Sequence, residues 1–128
     1  MTITMTAKAP TKFRRIRLEL AREPGHPLGS GAFGYDLVAP LTADAQIDVD
    51  GWRQDRARCR VVRIRPGEDH VIGHLIRRPG GSWAFRYDGE GDEVGLHFGD
   101  ERFVAGEYVA LRIDDEEHTF RVVTAEPL

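Results

Sequence analysis

Gly29-Ser30-Gly31-Ala32-Phe33-Gly34 spells G-x-G-x-x-G, the spacing with which glycine-rich loops let backbone amides approach a phosphate. A dinucleotide fold would need a strand just before this segment and a helix just after it. Here Pro24 and Pro27 precede the match, and Tyr35 to Ala39 continue in an extended pattern. A kinase phosphate loop would need a Val where Asp36 stands, together with V-A-I-K, H-R-D and D-F-G sequences that the chain lacks. The glycines are therefore expected to serve a turn that reaches positive φ.

Histidine is the next candidate chemistry. His70 and His74 would share a face on a helix, as zinc ligands do, but on a strand they stand about 13 Å apart, too far for one metal ion. One of them could still join His97 and a carboxylate such as Asp69 across strands to hold a metal, and more broadly His70, His74, Trp83, Arg86 and His97 could form a polar cluster at the mouth or inner face of a barrel. These five are the candidate ligand-binding residues; no catalytic residue, metal or cofactor is assigned. Cys59 lies between Arg58 and Arg60, whose charge would favour a thiolate. Strand neighbours point to opposite faces, however, so a buried structural thiol is expected. The alternating carboxylates of Asp88 to Glu93 lack the glycine and the terminal Glu of a calcium loop.

The elements that must carry these residues show a period of two. Arg15-Ile16-Arg17-Leu18-Glu19-Leu20 alternates charge and aliphatic, as a strand with one wet and one buried face does. Glu23 to Gly31 breaks the pattern as a loop, and Tyr35 to Ala39 resumes it. Asp50 is placed to cap a turn or two of helix around Trp52. Arg60 to Arg65 is strand-like, and its Val61-Val62 pair marks a bulge or two-sided burial. Val71 to Arg78 and Trp83 to Asp88 flank Pro79-Gly80-Gly81-Ser82 as a hairpin, with Trp83, Phe85 and Tyr87 on one face. Asp88 to Glu93 reads as a mobile loop, followed by Val94, Leu96 and Phe98 on one face of a short strand. Glu107 to Ile113 and Thr119 to Ala125 form the last pair, joined through an acidic loop at Asp114 to Glu117. The expectation is an all-β fold, mostly β with one short helix, made of about seven strands in a small curved antiparallel sheet or β-barrel. Residues 1–11 read as a frayed tail and 12–128 as a single β domain.

Composition bounds the rest. With 128 residues, 41% hydrophobic and 30% charged, the chain is that of an ordinary globular domain, and no apolar run approaches the length of a membrane helix. The polar, Thr-rich start and a single cysteine make cytoplasm the expected location. Net charge is −3, but residues 1–64 hold 11 Lys and Arg against 7 Asp and Glu, whereas residues 65–128 hold 7 against 14. Basic and acidic strands are expected to meet. Arg14, Arg15, Arg17, Arg58, Arg60, Arg63 and Arg65 could instead line one outer face.

Pro79-Gly80-Gly81-Ser82-Trp83-Ala84-Phe85-Arg86-Tyr87-Asp88, Phe98-Gly99-Asp100, Phe103 to Val109 and Thr119 to Val123 give the chain, from about Arg14 to Pro127, a resemblance. It resembles a small proteobacterial family of uncharacterised single-domain proteins. That resemblance implies one compact unit and brings no activity, ligand or residue role. Three functions remain open from the residues: a non-enzymatic β module that binds a protein partner or itself as a homodimer; a small-ligand or metal-binding barrel, conceivably enzymatic; and nucleic-acid binding through the arginine strands. No membrane partner is expected.

Overall fold

The computed structural model describes residues 12–128 apart from positions 24, 26 and 28, so the tail expected at 1–11 lies outside the described residues. Eight strands follow one another around a closed antiparallel barrel: β1 (Lys12–Leu20), β2 (Ser30–Leu41), β3 (Arg60–Ile64), β4 (Val71–Arg77), β5 (Trp83–Arg86), β6 (Glu93–Leu96), β7 (Tyr108–Ile113) and β8 (Glu116–Pro127). Each pairs with its sequence neighbours, and β8 closes the ring on β1 with Arg14 opposite Pro127 and Leu20 opposite Phe120. The order is an up-and-down meander, the simplest path by which a period-two chain can hide one face of every strand.

The count of strands is eight where the sequence indicates about seven. The second strand starts at Ser30, so most of the glycine motif is strand and not turn. In the last hairpin only Asp114 and Asp115 form the turn, at φ 50° and 67°, and Glu116 and Glu117 already belong to β8. Such a two-residue turn matches the twist of the strands it joins. In β6 it is Glu93 and Gly95 that are buried, whereas Val94 and Leu96 face outward, half-buried. Phe98 reaches the core because His97, at φ 58°, turns the chain between them. Closure leaves none of the eight described strands as an unpaired edge.

The interior is packed with side chains. Ile16 and Leu18, Tyr35 and Leu37, Val61, Leu75, Phe85, Leu111, Phe120 and Val122 are essentially inaccessible. Tyr35 meets Phe85 and Phe120 at 5.1 and 5.2 Å between ring centroids, and Phe98 meets Phe103 at 5.3 Å. A Cβ at Gly95 would lie 2.4 Å from the Phe98 ring, so only glycine lets that ring lie on the strand.

The end of the barrel near Leu41 and Trp83 is covered by α1 (Val49–Gln54), which Asp48, and not Asp50, caps through a 3.2 Å bond accepted from the Gly51 amide. Trp52 fastens this helix to the barrel: its indole N–H donates to the Leu75 carbonyl at 2.8 Å, and its ring meets Trp83 edge-on at 5.2 Å.

Candidate functional site

Two clusters of polar side chains stand out, one buried and one exposed. The buried cluster closes the opposite end of the barrel. In β3, Val61 points inward, and the alternation carries Arg63 and then Arg65 inward with it. They meet Glu93, which is 4% exposed. The Glu93 Oε1 accepts from the Tyr35 hydroxyl at 3.0 Å and from the Tyr87 hydroxyl at 2.8 Å, while Oε2 accepts from Arg65 at 3.0 Å and lies 3.5 Å from Arg63. Arg63 also makes a two-pronged pair with Glu90, at 2.8 and 3.3 Å, which raises its pKa and lowers that of Glu90. Arg65 leaves its Nε without an acceptor, the one such buried side-chain atom among the described residues.

This cluster is a closed hydrogen-bonded network around one carboxylate. Burial, followed by the charge of Glu93, pushes the pKa of both Tyr35 and Tyr87 far above that of a free tyrosine. They act as fixed donors to one carboxylate. Arg63 also joins the basic half of the sequence to the acidic half, β3 to Glu90 and Glu93, inside one molecule. The outer arginine row expected on β1 and β3 is therefore broken, because Arg63 and Arg65 turn inward to carboxylates.

The exposed cluster is a groove of about 380 Å³ between α1, the 3-10 turn Arg56–Arg58 and the end of β4. Its floor is Trp52, Leu75, Ile76 and Pro79, and its rim carries Arg56, Arg77, Arg78 and Arg86. The guanidinium of Arg56 sits over the Trp52 ring at 4.6 Å, and that of Arg77 over the Trp83 ring at 5.5 Å. Stacking of this kind holds the planar group in place while its N–H edge stays open. Among the described residues Arg56, Arg77 and Arg78 make no ion pair, whereas Arg86 is held by Asp92 through bonds of 2.9 and 2.8 Å. That bond raises the pKa of Arg86 and lowers that of Asp92.

No family model, no curated protein and no solved structure matches this chain. Its function has to be read from its own geometry.

Of the five candidate residues, the structure brings two together at this groove: His74 and Arg86 are cross-strand partners on the outer face and both line it. Trp83 lies beneath it, 2% exposed, in the core. His70, in the loop before β4, and His97, in the turn after β6, are exposed elsewhere and join no cluster. The described residues hold no group of three His, Cys, Asp or Glu side chains placed to bind a metal ion. Cys59 is fully buried, and burial pushes its thiol up to about 11. Arg77, Arg78 and Arg86 stand close to Trp83 in the sequence and can be read from it as one basic surface, but nothing there draws Arg56 to them. Arg56 stands four residues after Trp52, a spacing that signals the stack only once the helix continues into the 3-10 turn.

Proposed function

We propose that the protein is a non-enzymatic interaction module whose Trp52 groove holds an acidic segment of a partner protein. The observation that carries this reading is the convergence of Arg56, Arg77 and Arg78, which make no ion pair among the described residues, two of them stacked on indoles, over an apolar floor. Arginine N–H groups fixed in this way donate to a carboxylate in pairs, and Ile76 and Pro79 offer a place for an adjoining aliphatic side chain. The packed interior supports a binding surface on the outside of the barrel over a ligand held within it. Stacking of nucleic-acid bases is less well supported, because Trp52 and Trp83 are buried at 6% and 2% and offer no free ring face.

The test is fluorescence anisotropy with a labelled peptide rich in Glu and Leu. Binding that weakens as salt rises, and that falls about tenfold or more in an Arg56→Ser, Arg78→Ser double variant, is the expected result. No binding at low salt, or binding that ignores the double variant, would refute the groove as the site.

A further inference from the structure

A second cavity, of about 360 Å³, lies on the other side of the barrel, where Glu19 to Arg22 at the end of β1 meet Gly29 to Gly31 and the outward faces of β7 and β8. One wall is the start of the glycine motif. Gly29 has φ +76°, and a Cβ there would stand 2.6 Å from the Leu20 carbonyl oxygen, so only glycine lets this wall press on β1. Arg17 fastens it, donating to the Gly31 carbonyl at 3.1 Å and to Glu19 at 3.3 Å. The facing wall is Arg121 with its cross-strand partner Tyr108, a tyrosine 57% exposed, and Arg22 and Thr119 complete the lining. Among the described residues neither Arg22 nor Arg121 has an ion-pair or hydrogen-bond partner, although Glu19 stands directly opposite Arg121 across the sheet.

We propose that this cavity is a binding site for a nucleoside monophosphate. Arg22 and Arg121 supply two free guanidinium groups for a phosphate, whose bidentate recognition is what arginine does best. The Glu19 carboxylate, steadied by Arg17, is an acceptor for the paired hydroxyls of a ribose. Tyr108 presents an aromatic face to the water side of the cavity, and a planar base stacks on such a face. A bare aliphatic phosphate would leave Glu19 and Tyr108 unused. The site shares no lining residue with the Trp52 groove, so it stands whether or not that groove binds acidic peptides.

Isothermal titration with 5′-AMP, with adenosine and inorganic phosphate run separately, tests the assignment. AMP is expected to bind more tightly than either fragment, and Arg121→Ala is expected to weaken it by about tenfold or more, the loss of one charge-assisted contact. Tyr108→Ala should weaken AMP and leave phosphate unchanged. Both side chains are exposed, and unchanged circular dichroism would confirm that the variants fold. Absence of AMP binding up to about 10 mM would overturn the proposal, being weaker than a specific small-ligand site delivers. AMP binding indifferent to both Arg22→Ala and Arg121→Ala would overturn it too, and phosphate binding as tight as AMP would remove the nucleoside from it.

Discussion

Removing the Glu93 side chain would leave the buried Tyr35 and Tyr87 hydroxyls and the partly buried Arg65 without their shared acceptor, while Arg63 keeps Glu90. Glu93→Ala is therefore expected to cost about 3–5 kcal/mol, mostly from two buried hydroxyls left unsatisfied at about 1–3 kcal/mol each. Tyr87→Phe, which deletes one hydrogen bond to a charged group, should cost about 1.5–3 kcal/mol. Urea titrations of the two variants check both values and their order. The same phenols set a limit at high pH. In the unfolded chain they ionise near pH 10, whereas in the fold burial and the Glu93 charge keep them protonated well above that. Above about pH 10 the unfolded state loses protons that the folded state keeps, so their contribution is complete below that pH and declines as pH rises past it. The urea midpoint should fall over that range, and an unchanged midpoint would contradict the burial of the phenols. This cluster was half-legible in the sequence. Val61, Arg63 and Arg65 share parity, so a strand that buries Val61 has to turn both arginines inward. Their chemical type nevertheless argued for the outside, and nothing local to β3 names Glu90 and Glu93 as their partners.

At the scale of elements, the period-two pattern located most of the strands because alternation is imposed by the pleat itself. It failed where backbone geometry overrides side-chain type. Glu116 and Glu117 look like loop residues, yet a turn that needs only Asp114 and Asp115 leaves them in β8. Ser30 to Gly34 look like a turn, yet Ser30 and Gly34 pair with Leu20 and Glu19 at the end of β1, and the segment between them bulges within β2. Two adjacent aspartates at positive φ hold a conformation that Asn and Gly adopt more readily. Asp114→Asn with Asp115→Gly should raise stability by about 1 kcal/mol in thermal unfolding. Gly95→Ala should act in the other direction. Its methyl group would displace the Phe98 ring from β6, and overpacking of this kind costs about 1–3 kcal/mol, with a lower urea midpoint as the observable.

For the whole molecule, closure of the barrel decides what the surface can do. Every strand has two neighbours and the inside is filled, so recognition is left to the outward faces and to the grooves that α1 and the glycine segment build against them. Neither groove was readable in advance, because each gathers residues from three or more elements whose order around the ring the sequence does not state. The all-β class was readable, since it depends only on local alternation. Ring closure also has a topological consequence. Arg14 lies beside Pro127, so the start of β1 and the end of β8 sit together, while the Asp114-Asp115 turn is exposed at the far rim. A circular permutant that links Leu128 to Lys12 through a short flexible bridge and begins at Asp115 should fold to the same ring, with the same near-ultraviolet spectrum from its two tryptophans. The first and last strands of such a molecule would be β8 and β7, and the seam would move without any change in the cylinder.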